Sequence, residues 1–530
     1  MIRISEIKLA LGKPENLLSK KAAKLLGIKE QEIQRWQIFK KSLDARKKDN
    51  IHYVYVIDVV VAEEEKILRK AKNKQISQTP DLSYVFPSGT CHIKKRPVVV
   101  GFGPAGMFAA LLLAQMGLRP IVLERGGDVD SRQTAVQQFW KDRKLDTENN
   151  VQFGEGGAGT FSDGKLTTRI KDKRCRKVLE ELVAAGAPQE ILYDSKPHIG
   201  TDLLRDVVKN IRGKIQELGG EVRFFAKVTR IFSAQGAVTG VEINHSETLD
   251  CTDVVLALGH SARDTFEMLH QEGVAMEQKP FAVGVRIEHL QNTINQAQYG
   301  TAADKLPTAD YRLTYTTQAG RGVYTFCMCP GGYVVAAASE QGRLAINGMS
   351  EHARNGVNAN AAVLVQVFPE DFADDHPLAG MMFQRELEQK AYEAGGGGYT
   401  APIQTVGDFL YQKGNVLGSI QPSYCPKTVL ADLQKIFPPF IIASLQEAIP
   451  QMGKRLKGFD ADDAILTAVE SRSSSPVRLL RGVDGQSQNL TGLYPTGEGA
   501  GYAGGIVSAA VDGIATAEHI FLQHRIEKTE

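Results

Sequence analysis

Cysteine is scarce in this chain of 530 residues: there are six, widely spread. That usage excludes the disulfide framework of small secreted domains and fits a reducing, cytoplasmic setting. Long apolar runs are missing too. The most apolar stretch is about half of the ~20 residues a membrane helix needs, so no membrane span is expected. The opening MIRISEIKLALGKPEN scatters its charges and has no signal-peptide core. Neither sign of charge dominates, with 63 Lys and Arg against 61 Asp and Glu. No CxxC or HxxxH accompanies the one close cysteine pair, Cys327 and Cys329, so no metal site is expected. The length is too great for a single core and implies two or three domains.

What is present begins with Val98 to Glu124, VVVGFGPAGMFAALLLAQMGLRPIVLE. Three valines predict a short buried strand. Gly101, Gly103 and Gly106 follow at GxGxxG spacing, and Pro104 and Ala105 lead into an apolar helix over Met107 to Met116 that stops at Gly117. A second strand, Ile121 to Leu123, ends on Glu124. This order is the dinucleotide fingerprint. The first glycine lets the chain turn, the second lets amides approach a pyrophosphate, and the third lets helix and strand pack closely. The helix N-terminus favours phosphate, and Glu124 is placed to accept hydrogen bonds from ribose hydroxyls.

A second glycine-rich loop follows, VQFGEGGAGTFSDGKLTTR, with Gly154, Gly156, Gly157, Gly159 and Gly164. Such density makes no helix or strand interior and marks backbone close to a ligand or to itself. Ser162, Asp163 and Lys165 are the polar side chains it could aim at a reactive ring. Downstream, Thr201 and Asp202 are expected caps of a helix ending at Gly219 and Gly220. Strands follow, with Val228 in a turn between them, and the strand CTDVVLALGHS closes on Gly259. Near the end, NLTGLYPTGEGAGYAGGIVSAAVDGIATAEHIF carries a strand, Gly497 and Glu498, then further glycines and a small-residue helix. Glu498 would bond a ribityl chain. The amides near Gly505, Ile506 and Val507 would face a flavin pyrimidine and stabilise negative charge on a reduced ring.

Taken together, VGFGPAGMFAA, LERG, FGEGGAGTFSDGKL, PFAVGVRIEH, TFCMCPGG, SSPVR and YPTGEGAGYAGGI resemble bacterial FAD-dependent dehydrogenases of uncharacterised substrate, within the glutathione-reductase-like flavoprotein fold. The resemblance covers 96–530 closely and implies bound FAD and redox chemistry. It implies contacts from Arg125 beside Glu124, and an approach of Arg205 to the ribityl or phosphate part. The expected fold is α/β: a Rossmann-like FAD-binding domain, an inserted substrate domain of mixed or antiparallel sheet, and a small N-terminal α+β domain. The boundaries fall at 1–90, 96–279, 280–488 and 489–530, the last closing the FAD-binding domain.

In the middle, FAVGVRIEHLQ, DYRLTYTT, GVYTFCMCP and GYVVAAAS suggest an antiparallel sheet roofing the flavin. FPPFIIASLQEAIPQM is helix-compatible but broken by prolines. Regular alternation would point Cys327 and Cys329 to one face as core residues. Arg472 and Arg478 could grip an anionic substrate, and His260 is the histidine best placed for a role. Disulfide-class reductases carry a second GxGxxG and a CxxxxC; neither occurs here. The expected activity is hydride transfer between a small substrate and FAD, with a nicotinamide nucleotide or another electron donor or acceptor as partner.

The alternative starts from residues 1–96, where 21 Lys and Arg face 11 Asp and Glu, while the remainder carries 42 against 50. This basic unit suggests a flavin-containing nucleic-acid-binding or RNA-modifying protein, although no RRM, KH or zinc pattern supports it.

Overall fold

The computed structural model describes residues 1–71, 73–414 and 416–526; the last four positions of the expected closing segment, 489–530, lie outside the described residues. A five-stranded parallel sheet runs in the order Leu493–Pro495, Val254–Leu256, Val98–Val100, Ile121–Leu123, Glu221–Arg223. The first four strands are buried throughout, as a sheet covered on both faces requires. The helix Pro104–Gln115 follows the first valine strand, with proline at its start, where the missing N–H costs nothing. Ala105 to Ala114 are all buried, because the helix lies among the sheet and the helices Thr201–Glu217 and Ile506–Gln523. A Cβ at Gly513 would lie 2.1 Å from the Ala105 carbonyl oxygen, so the contact with the last helix is backbone to backbone.

The expected caps Thr201 and Asp202 do other work. Gly200 is the N-cap, and its positive φ and contact with His352 leave no room for a side chain. The Thr201 hydroxyl donates to the Thr160 carbonyl, and Asp202 accepts from the His352 amide. Val228 lies not in a turn but at the head of the strand Val228–Ala234, in a three-stranded antiparallel ribbon.

The inserted sheet has seven strands, in the order Thr314–Thr316, Gly322–Cys329, Asn358–Val367, Phe281–Leu290, Ile465–Glu470, Ala401–Thr405, Thr428–Leu430. Only the last pair is parallel. The proline-interrupted segment forms one helix, Pro439–Gly453, with Pro450 inside its last turn; Ile441, Leu445, Ile449 and Met452 bury one stripe. The N-terminal sheet combines Ile33–Asp44, His52–Val61 and Ile2–Ala10 with Ile76–Gln78. That last strand lies at the start of QISQTPDLSYVFPSG, where Pro80, Pro87 and Gly89 read as a linker: edge pairing with Ile2, Arg3 and Ile4 decided its conformation, not its composition. Farther along the linker, Thr90–Cys91 pairs with Arg525–Ile526.

Candidate functional site

The carboxyl ends of the central strands open into one cavity of about 290 Å³. Its wall draws on distant segments, among them the turn Val100 to Ala105, the loop Gln152 to Ser162, Ala257 to Ala262 after the strand Val254–Leu256, and Glu498 to Ala509. This is the crevice in which open parallel α/β sheets bind ligands. The helices Pro104–Gln115 and Ile506–Gln523 begin on its wall, and neither has a side-chain cap. Their first amides therefore offer unpaired donors and partial positive charge to the same space.

The glycines divide by what surrounds them. A Cβ at Gly259 or Gly504 meets nothing within 4 Å; at Gly103 it meets only Gly157 Cα at 3.7 Å, and at Gly505 only Ser508 Oγ at 4.0 Å. These four have room that a ligand could fill. Gly101, Gly157 and Gly159 also line the cavity, but their immediate neighbours are protein. Gly106, Gly156 and Gly497 are off the wall. A Cβ there would meet Gly101 O at 2.0 Å, Thr160 Oγ1 at 2.1 Å or Ala105 Cβ at 2.6 Å, so these positions serve internal packing.

Of the other expected site residues, Pro104, Ala105, Glu124, Arg125, Val228, Glu498 and Ile506 are on the wall. Glu124 is buried and accepts from the amides of Phe102, Gly126 and Gly154 at 2.8–2.9 Å, so it ties both glycine turns together. Arg125 pairs with Glu148 and Asp264, as does Lys227, a wall residue that sequence reasoning missed. Burial opposes the charge on Asp264, but Arg125 and Lys227 outweigh it and hold the carboxyl well below its usual range. Glu498 accepts from His260 Nδ1 at 2.7 Å. Burial raises its pKa, and the neighbouring His260 ring overcomes that, so the carboxyl titrates below its ordinary value. His260 Nε2 is buried without a partner among the described residues.

Lys165 and Arg205 are not on the wall. Lys165 Nζ is 3.7 Å from Asp163, which is buried and also holds Arg354 and Ser350. The Arg205 guanidinium lies over the Phe161 ring at 5.7 Å. Ser162 is on the wall, with its hydroxyl donating to Gly159 O. The loop itself is held by Arg132, wholly buried, which donates to the carbonyls of Asn150, Val151 and Glu155. No local pattern announces that role; it depends on the helix Val129–Asp142 lying under the loop.

The seven-stranded sheet contributes Phe326, Cys327 and Glu470, the two-stranded ribbon of Tyr333–Ala336 and Ile346–Met349 contributes Asn347, and Arg472 and Ser473 lie beside them. The strand Gly322–Cys329 is not regular at this point. Phe326 pairs with Ala362 and Cys329 with Asn360, so one extra residue bulges out. Cys327 sits there with φ of +43°, facing the cavity, while Cys329 is fully buried. Arg472 reaches the wall with its guanidinium engaged by Glu388 and Ser339, and Arg478 pairs with Glu277 near the surface. Among the described residues no group of three metal-ligating side chains occurs, and no helix is long and apolar enough to cross a membrane.

Residues 95–298 match the pyridine nucleotide-disulphide oxidoreductase family model, and 280–473 the model of the FAD-dependent protein C-terminal domain. Residues 1–60 match a domain of unknown function. The first matched segment holds only Cys175 and Cys251, hence no CxxxxC pair. An uncharacterized protein of Clostridium beijerinckii is 53% identical over 533 residues, covering 99% of this chain and 100% of its own length. Among solved structures, a flavin-dependent brominase is 12% identical, covering 81% of this chain and 79% of its own, with a TM-score of 0.38. Glycine oxidase from Bacillus cereus is 10% identical, covering 82% and 99%, with a TM-score of 0.31. The chain belongs to the same family as the Clostridium beijerinckii protein, a family of FAD-dependent oxidoreductases in which an FAD-binding domain carries an FAD-dependent C-terminal domain.

Proposed function

We propose that the enzyme is a dehydrogenase or reductase acting on a small substrate held between the bound cofactor and the seven-stranded sheet. One observation carries this: two uncapped helix N-termini, from segments roughly 400 residues apart, open on a single cavity whose glycines 103, 259, 504 and 505 have room for a ligand. The chemistry of that wall fits FAD. The amides beginning at Gly103 and Ala105 would hold the pyrophosphate, with Gly101 giving the turn that presents them. Glu124, Arg125, Lys227 and Val228 would enclose the adenosine part. Gly259, His260 and Glu498 would serve the ribityl segment, the orphaned Nε2 of His260 supplying a hydrogen-bonding atom. Gly505 and Ile506 would face the ring. When bound, FAD supplies the acceptance and release of a hydride equivalent.

The chain's own residues orient the substrate and exclude water, and the start of the last helix favours negative charge on the ring side. Residues 96–279, 280–488 and 489–530 divide the labour as first cofactor half, substrate wall and closing half, with 1–90 as a separate N-terminal α+β domain. The basic N-terminal unit does not favour nucleic acid: Arg3, Lys41, Arg46, Lys66 and Arg69 are each paired with an acid of the same unit. A nicotinamide nucleotide is the electron donor or acceptor to try first. The test is the flavin absorption spectrum of the protein reconstituted with FAD, then anaerobic reduction by nicotinamide nucleotides. Folded protein that retains no FAD after gel filtration would refute the proposal.

A further inference from the structure

The cofactor-side residues leave open which group moves a proton. His260 has one ring nitrogen on Glu498, and Glu470 is spent on Arg286, with Nε to Oε2 at 2.9 Å. Cys327 has no such commitment. A β-bulge pushes it out of the strand's alternation onto the cavity wall, and the carbonyl of its own residue is pinned by Arg286 Nη1 at 3.2 Å. The buried Cys329 thiol donates to that same carbonyl at 3.3 Å. A strand next to a catalytic site often carries a bulge that re-aims one side chain.

We propose that Cys327 is the proton acceptor and donor of the reaction, working as an anionic sulfur toward substrate, and that Cys329 is its positioning partner. The proposal rests on FAD occupying this cavity. In the oxidative direction the substrate's C–H leaves as hydride, with its electron pair, to the cofactor. The proton on the adjoining atom passes to the Cys327 sulfur, which becomes a thiol, and the substrate gains a double bond. Reduction runs the same atoms backwards.

The charges around the sulfur agree. The neighbouring Cys329 thiol does most to lower the Cys327 pKa; burial opposes it, Lys165 and Arg286 add to it, and Glu470 works against it, leaving a value of about 6. Cys329 is pushed well above the ordinary thiol range by the same pairing and by burial. Lys165 belongs to the second glycine loop and is itself steadied by Asp163.

Iodoacetamide alkylation of the full chain without FAD, followed by peptide mass across pH 5–9, should show Cys327 reacting with a midpoint near 6, against about 8.5 for a free thiol. At pH 6.5 the gain in thiolate fraction, offset by weaker nucleophilicity, leaves Cys327 roughly fivefold faster than an ordinary exposed cysteine. Cys329→Ala should move the midpoint upward. In the FAD-loaded protein a sulfur anion against the ring should give a long-wavelength absorption that follows the same midpoint and vanishes in Cys327→Ser. A midpoint above about 8 without FAD overturns the assignment whatever the cofactor does. So does recovery of Cys327 and Cys329 as a disulfide. FAD bound at full stoichiometry with no such absorption and unchanged alkylation also overturns it, whereas failure to bind FAD, with the midpoint still near 6, brings down the cofactor reading and this one with it.

Discussion

Replacing Gly103 by alanine should leave the fold intact and weaken FAD binding. Gly103 has φ of −76° and ψ of −176°, extended backbone open to any residue. The new methyl would touch only Gly157 Cα, at 3.7 Å. Unfolding free energy without cofactor should therefore change by no more than about 0.5 kcal/mol. With cofactor bound as proposed, the methyl would stand where the helix amides meet the pyrophosphate. Displacing the phosphate from one charge-assisted hydrogen bond costs about 1.5–3 kcal/mol, or roughly 10- to 150-fold in affinity. Gly106→Ala is the opposite case: its Cβ would lie 2.0 Å from the Gly101 carbonyl oxygen, so strand and helix must part. It should lose about 1–3 kcal/mol of stability even before FAD is added. Urea unfolding of both variants without cofactor, with FAD titration followed by flavin fluorescence, separates the two effects. The reasoning is refuted if Gly103→Ala binds FAD within twofold of the wild type, or unfolds as readily as Gly106→Ala.

Three further outcomes are expected. Glu124→Ala strands the amides of Phe102, Gly126 and Gly154 and should cost about 2–4 kcal/mol, read by urea unfolding without FAD. Glu388→Gln removes the buried anion shared by Arg263 and Arg472 and should cost about 3–5 kcal/mol, with no new pH dependence between pH 5 and 8, because those arginines, working against burial, hold the native carboxyl far below its usual value and its stabilisation is lost only in stronger acid. His289 is buried against Tyr311 and Phe459, and burial lowers its pKa to about 4 from an ordinary 6.5. Below pH 6.5 the unfolded chain takes a proton that the folded one refuses, so stability should fall by about 3 kcal/mol by pH 4, and His289→Asn should flatten that limb of a pH series of urea midpoints.

The fold of the parallel-sheet half was legible because its signals are local. Strand, glycines, proline, apolar helix and Glu124 stand in order within one short stretch, and glycine density marks the second loop and the closing element. What depends on distant partners did not show. Lys227 and Asp264 have ordinary neighbours in sequence and meet Arg125 and Glu148 only in the folded chain. The strand Ile76–Gln78 hides beside prolines because edge pairing formed it. The Cys327 bulge escaped because a period of two was assumed where the strand adds a residue. Arg205 was expected at the cofactor from the family resemblance and Lys165 as a polar side chain of the second glycine loop, and the structure turns both toward other groups.

The order in which the chain is made bears on the helix Pro104–Gln115. One of its covers, Ile506–Gln523, is translated roughly 390 residues later. At about 5–20 residues per second, a ribosome leaves that greasy rod bare for roughly 20–80 s. The nascent chain must shelter it meanwhile, by provisional collapse or a chaperone, and cells short of chaperones should accumulate aggregates of chains halted before Ile506.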